Sequence, residues 1–216
     1  MNRASLVWGL SAFVAGVMGA VSHTQAQMMD PAHHHHGQQN DPGAHQSHAM
    51  SLGPADEEFD LRFIDGMIPH HEGAVVMAEA ALEKSDRPEI RELAEAIIAA
   101  QAEEIEQMLA WRENWYPNAP TEPQMWDEDM GHSMQMSAEM MSTMRMDVSL
   151  GEADEDFDLR FIDAMIPHHE GALVMAEQAL EKSERPEIRE LAEAILTSQR
   201  AEIDQMTDWR QDWYGQ

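Results

Sequence analysis

The sequence predicts an all-α fold: a four-helix bundle built from a duplicated helical hairpin, with flexible His-rich and Met-rich segments. An internal repeat supports this fold, since FDLRFIDGMIPHHEGAVVMAEAALEK begins at Phe59 and FDLRFIDAMIPHHEGALVMAEQALEK begins at Phe157. Residues that favour helices, such as Ala, Glu, Leu, Met and Gln, are frequent in both copies. One amphipathic hairpin cannot bury its apolar faces alone, whereas two hairpins can bury them against each other.

Each copy is predicted to form two helices joined by a short turn. In the first copy they cover about 56–84 and 87–115. Ser85 or Asp86 can cap the second helix, and Pro88 suits its first turn, where a missing N–H costs nothing. The second copy repeats this turn at 183–186.

A proline interrupts the pattern of the first helix in each copy. Pro69 and Pro167 both directly precede a histidine pair. A proline inside a helix removes a hydrogen bond and kinks the helix, which would free the carbonyl group of Asp65 or Asp163. The alternative is that each proline begins a new helical segment.

The N-terminus has the pattern of a secretory signal peptide. Arg3 precedes an apolar run at 6–21, and small residues around 24–26 predict cleavage after Ala26. An uncleaved anchor is the alternative. The predicted organisation is a signal peptide at 1–26, a disordered His-rich segment at 27–54, helical hairpins at 55–116 and 152–216, and a Met-rich linker at 117–151.

Composition favours cations as the partners of this chain. Its 41 acidic and 13 basic residues give a formal net charge of -28, which repels nucleic acid and anionic membrane surfaces. Cysteine is absent, which excludes disulfides and thiolate sites. The chain contains 19 Met and 12 His, so thioethers and imidazoles are its available soft and borderline metal ligands.

Several polar residues fall on the predicted buried faces of the helices. In the first helix of each copy a His pair lies on the apolar face near two methionines, and in the second helix Gln101 and Glu104 interrupt the apolar stripe, as Gln199 does in the second copy. The candidate interior ligands are Met67, His70, His71, Met77, Glu104, Met108, Met165, His168, His169, Met175, Glu202 and Met206.

Two interpretations of this interior cluster remain open. Buried polar groups cost free energy unless they are paired, and a metal ion would satisfy them together. Alternatively, Glu104 pairs with a protonated histidine in a structural network, and the methionines only fill the core.

The segments outside the repeats add further candidate ligands. The N-terminal candidates are His33, His34, His35 and His36, followed by His45 and His48. The linker candidates are Met130, His132, Met134, Met136, Met140, Met141, Met144 and Met146, with Met125 before them. Thioethers suit Cu(I) and Ag(I), and imidazole extends the range to Cu(II), Zn and Ni. The alternatives are an expression tag for the His run and, for the linker, an amphipathic helix that docks on the bundle through its methionines.

The motif MIPHHEGAVVMA, followed by Gln101, Glu104, Ile105, Met108 and Trp111 at regular helical spacing, resembles the domain-of-unknown-function 305 family. The resemblance covers both copies. It implies a ferritin-like helical bundle and an exported protein that binds copper and is linked to copper resistance. It also implies that Met67, His70, His71, Met77, Glu104 and Met108, with their second-copy equivalents, are the residues to test.

We therefore expect an extracytoplasmic protein that binds Cu(I) or Ag(I), with Cu(II) also accepted, and sequesters or delivers these ions in metal tolerance. No catalytic constellation is recognised. The expected partners are metal ions and a copper transporter or chaperone, without nucleic acid or, after signal cleavage, a membrane. One alternative is a ferritin-like metal-ion oxidase, although the buried faces lack the Glu-x-x-His motif of di-iron bundles. The other is a structural bundle with no metal.

Overall fold

The computed structural model describes residues 50–216, which form four long helices with a small hairpin and a short helix between the second and the third. The elements are α1 Phe59–Lys84, α2 Pro88–Trp115, β1 Gln124–Asp127, β2 His132–Gln135, α3 Ala138–Arg145, α4 Phe157–Lys182 and α5 Pro186–Tyr214. Helix α1 packs along α2, and α4 packs along α5, as the duplicated hairpin requires. The all-α helical bundle predicted from the repeat is confirmed.

The helices begin slightly later than the sequence pattern predicted. Helix α1 starts at Phe59, because the side chain of Asp56 accepts the backbone N–H of Glu58 and forms a turn before it. Helix α2 starts at Pro88, after Arg87 in extended conformation. Proline thus occupies the first helical position, as expected.

Both α1 and α4 continue through their internal prolines. Pro69 lies inside α1 and Pro167 inside α4, and each helix extends to the lysine that ends it. The alternative that each proline starts a new helical segment is therefore wrong. Packing on both sides of the proline holds the helix together, since His70 and Met67 are both fully buried.

The linker between the copies is ordered, where the sequence predicted a flexible segment. Strands β1 and β2 pair antiparallel, and Ser137 caps α3 through its hydroxyl group. Met136 and Met144 are 7% and 5% exposed and belong to the apolar core. The flexible-linker expectation was wrong because burial of these side chains stabilises the segment, which is the docking alternative.

The apolar core forms two clusters, and each combines both copies. In one, Phe63 and Met67 of α1 pack with Ala176 and the second-copy helix α5. In the other cluster the roles of the two copies are exchanged: Phe161 of α4 packs against the end of α1 and the first-copy helix α2. The start of each first helix therefore packs on the end of the other, and the middles of α1 and α4 meet between the clusters.

Equivalent contacts at the two ends of the bundle tie the copies together. Arg87 forms an ion pair with Asp158 at 3.1 Å and lies over the ring of Trp213 at 3.9 Å. Arg185 forms the equivalent ion pair with Asp60, also at 3.1 Å. Within residues 50–216, no helix is both long and apolar enough to cross a membrane.

Candidate metal centre

Four imidazole rings meet where α1 and α4 pack against each other. His70 and His71 come from α1, and His168 and His169 from α4; none of them is more than 1% exposed. The rings of His70 and His168 are the closest pair across the copies, with centroids 4.0 Å apart. Within each copy the two rings are 6.4 and 6.3 Å apart. Each copy therefore contributes an inner ring, next to its counterpart, and an outer ring.

The outer rings are held by carboxylates of the second helices. Nε2 of His71 lies 2.7 Å from Oε2 of Glu104, and Nε2 of His169 lies 2.6 Å from Oε2 of Glu202. A carboxylate accepts the Nε2–H proton and so fixes the orientation of the ring, which leaves Nδ1 with a lone pair in the neutral form. Nδ1 of both rings is buried, and it has no hydrogen-bond partner within the described residues.

The inner rings differ from the outer ones and from each other. Among the residues that the structure describes, neither ring nitrogen of His70 has a hydrogen-bond partner. Nε2 of His168 lies 3.0 Å from the backbone oxygen of Arg145 and donates to it. Most buried polar groups in proteins are paired, so an imidazole with two unpaired nitrogens is an exception that needs an explanation.

Burial keeps the inner rings neutral. Loss of solvent, followed by the neighbouring imidazoles, lowers the pKa of His70 well below its usual value. The same loss of solvent, with the charge of His169 second, lowers the pKa of His168 to about 3. At neutral pH both rings therefore have a lone pair available, and a metal ion has no proton to displace from it.

Two glycines allow the linker and the inner rings to come close to the helices. A Cβ on Gly171 would lie 2.9 Å from Nε2 of His70 and 3.3 Å from Sδ of Met146. A Cβ on Gly73 would collide with the backbone oxygen of Arg145 and would lie 3.2 Å from Nε2 of His168. A larger residue at either position would displace an inner ring or the linker.

The interior methionines predicted as ligands are all buried, and they divide between the two core clusters. Met67, Met108 and Met175 belong to one cluster. Met77, Met165 and Met206 belong to the other. They flank the imidazole centre on opposite sides. Gln101 and Gln199 are 3% exposed, and each has a buried side-chain oxygen that no described residue bonds.

The linker candidates divide into two groups. Met136 and Met144 are buried in the core, and three others pack against it, namely Met140, Met141 and Met146. Met130 is 68% exposed in the turn between the strands, and His132 is exposed at the start of β2, with Met134 half-buried on the same strand. The fold thus brings the end of α3, but not the hairpin, to the imidazole centre. His33, His34, His35 and His36, with His45 and His48, lie outside the described residues, as does the predicted signal peptide.

Sequence reasoning missed three features of the centre. Arg145 contributes its backbone oxygen, which no side-chain pattern can reveal. Met50, whose methyl group lies near Gly171, was not among the candidates; the Ser-Leu-Gly triplet after it recurs at 149–151 and indicates that the repeat extends to this segment. Asp65 is 1% exposed, and its side chain accepts the backbone N–H of Gln124 in the linker. Within residues 50–216, no three His, Asp or Glu side chains come together as a ligand set.

Comparison with protein families and solved structures identifies relatives of this chain. The model of the family described as Domain of unknown function (DUF305) matches residues 15–88 and 60–210. The structure of CopM in its Cu(I)-bound form is 37% identical, with a TM-score of 0.56, and the match covers 72% of this chain and 97% of that one. CopM in its silver-soaked form is 36% identical over the same shares, with a TM-score of 0.57.

Two further relatives extend the range of organisms. A DUF305 protein from Streptomyces coelicolor is 29% identical, with a TM-score of 0.57, over 76% of this chain and 94% of that one. The uncharacterized protein L153 of Acanthamoeba polyphaga mimivirus is 39% identical over 49 residues, or 23% of this chain. The match spans 32% of that viral protein, about a third of its length.

Proposed function

This chain belongs to the DUF305 family, and from that premise we propose that it binds Cu(I) and Ag(I) at the buried imidazole centre. The observation that carries the proposal is His70, a fully buried ring that has no hydrogen-bond partner on either nitrogen within residues 50–216. A neutral lone pair held in the core, beside a second imidazole and methionine sulfur, is a ligand set for a soft cation. The solved forms of CopM with Cu(I), Cu(II) and silver support the choice of metal.

The surrounding charge favours entry of a cation. The chain has a formal net charge of -28, which raises the local concentration of positive ions. Glu104 and Glu202 are 16% and 18% exposed, and each bonds a buried outer ring. These carboxylates therefore link the solvent to the centre, and we infer that an ion reaches the imidazoles past them.

The biological role that we propose is sequestration or delivery, without catalysis. The predicted signal peptide at 1–26 would place the chain outside the cytoplasm, where bound ions would be stored or passed to a copper transporter or chaperone. In metal tolerance, such a protein lowers the concentration of free Cu(I) or Ag(I). The His-rich segment at 27–54 would widen the range of ions captured.

Anaerobic titration of the mature chain with Cu(I), against a chromophoric chelator, tests the proposal. We expect the variant H70A/H168A to lose a tightly bound ion that the wild type retains. The matched control is H132A, because His132 is an exposed histidine remote from the centre, and it should retain the ion. Folding of each variant is checked by circular dichroism. Equal binding by the wild type and by folded H70A/H168A would overturn the proposal, and metal-oxidase assays would then be needed.

A further inference from the structure

The end of α3 is anchored directly over the imidazole centre. We call residues 144–146 the linker strap. Met144 is 5% exposed in the core, and Nη1 of Arg145 pairs with Glu72 of α1 at 2.9 Å. The backbone of the strap lies so close to α1 that only a glycine fits at Gly73. Met146 adopts a left-handed conformation with φ 50°, uncommon for a residue with a side chain, which turns the chain at this point.

The strap forms a hydrogen bond with one inner histidine, His168. The backbone oxygen of Arg145 can only accept a hydrogen bond, so Nε2 of His168, at 3.0 Å, has to carry the proton. A protonated ring nitrogen has no lone pair to give to a metal ion. While this bond remains, Nε2 of His168 is therefore excluded as a ligand.

The strap presents sulfur to the other inner histidine. Sδ of Met146 and Nε2 of His70 both approach the point where a Cβ of Gly171 would lie, at 3.3 and 2.9 Å. His70 makes no hydrogen bond through either nitrogen to the described part of the chain, and its lowered pKa keeps it neutral. An imidazole nitrogen and a thioether sulfur thus both lie close to the same point beside Gly171.

We propose that Met146 is the sulfur ligand that joins His70 in binding the soft ion, while the Arg145 carbonyl withholds Nε2 of His168. This inference rests on the proposed function and specifies it. The non-repeated strap makes a duplicated centre asymmetric and gives it one preferred position for an ion. The strap also makes the site selective for soft ions. A neutral thioether binds Cu(I) and Ag(I) well and contributes little to the binding of harder divalent ions.

Methionine-methyl NMR of the full mature chain, titrated with Ag(I) to one equivalent, tests the assignment directly. Silver is diamagnetic and soft, and the variant M146L identifies the Met146 methyl signal. We expect the Met146 methyl and the His70 ring signals to shift together in the wild type. The variant M146L preserves the size of the side chain but removes its donor, and it should lower Ag(I) affinity by about tenfold or more, with a smaller change for Zn(II).

The matched control is M130L, which removes an exposed methionine in the hairpin turn and should leave the Ag(I) affinity of the core unchanged. The inference is overturned if the His70 signals shift while the Met146 methyl does not and M146L binds like the wild type; the proposed function would then still stand. If neither His70 nor His168 responds to Ag(I), the proposed function fails as well. The signal shifts of the wild-type protein test the two ligands even where a variant folds poorly.

Discussion

The two copies of the hairpin are nearly identical in sequence, but their histidines have different surroundings. The outer rings are equivalent, with carboxylates at 2.7 Å from His71 and 2.6 Å from His169. The inner rings are not, since His168 donates to a backbone carbonyl while His70 makes no hydrogen bond to any residue of 50–216. Within the described part of the chain, the linker creates this difference, because it supplies the carbonyl group that bonds His168. A duplicated motif therefore does not by itself give two equivalent sites.

The same linker also gives different surroundings to two ion pairs that are equivalent in the repeat. Asp65 is 1% exposed and lies 2.5 Å from Arg112, and it also accepts the backbone N–H of Gln124 at 2.8 Å. Its second-copy equivalent, Asp163, is 47% exposed and lies 3.4 Å from Arg210. Burial raises the pKa of Asp65 despite the neighbouring arginine. One copy thus has a buried ion pair where the other has a surface contact.

The largest effect that we expect is a loss of stability in acid that comes from the inner rings of both copies. The unfolded chain protonates these histidines below about pH 6.5. In the folded chain the pKa of His168 is about 3 and that of His70 is also strongly lowered. The apoprotein should therefore lose about 1.4 kcal/mol of unfolding free energy per pH unit for each ring as pH falls from 6.5 towards 3.

Denaturant unfolding at several pH values measures this slope. The variants H70Q and H168Q should each flatten it by about one proton, and H132Q, at an exposed site, should not. A wild-type slope unchanged in both inner variants would mean that other groups cause the acid sensitivity.

The second largest effect that we expect is a difference in stability between variants of the two aspartates. Replacing Asp65 by Asn leaves a partly buried Arg112 without its counter-charge, and we expect a loss of about 2 kcal/mol in unfolding free energy. The same change at Asp163 should cost less than about 1 kcal/mol, because that pair is exposed. Urea unfolding of D65N and D163N makes the comparison, and equal losses would show that the linker does not protect the first pair.

Next in size is the contact between the strap and α1. Gly73→Ala introduces a Cβ that collides with the Arg145 carbonyl, so we expect a net loss of about 1–2 kcal/mol and release of the His168 hydrogen bond. Gly66→Ala is the matched control, since its Cβ would meet Sδ of Met175 at an ordinary 3.5 Å and the second copy already has Ala164 there. It should be neutral or stabilising by up to about 1 kcal/mol. Thermal unfolding of both variants measures this, and equal stabilities would contradict the close approach.

The smallest effect concerns the outer rings, where the copies should behave alike. E104Q and E202Q weaken the orientation of His71 and His169, and we expect each to lower Cu(I) affinity by about tenfold. E103Q, at an exposed neighbouring position, serves as the control. Competitive titration compares them. A large difference in Cu(I) affinity between the two variants would show that the outer rings are also not equivalent.

Much of the fold could be predicted from the sequence. The repeat beginning at Phe59 and Phe157, and the helical spacing of its apolar residues, predicted four long helices and the burial of His70 and His71. The linker could not be predicted in the same way. Its strands and α3 are short, and Met136 and Met144 become ordered through contacts with distant helices rather than through local propensity.

The sequence by itself determined the duplicated hairpins, the polar residues on their buried faces and the supply of soft ligands, because helical periodicity and composition are local properties of the chain. Only the tertiary structure decided which rings meet and which nitrogens stay unpaired. His70 meets His168 across the two copies, and a backbone oxygen 23 residues before His168 takes its proton. A backbone carbonyl is the same in every residue, so its role depends on the path of the folded chain.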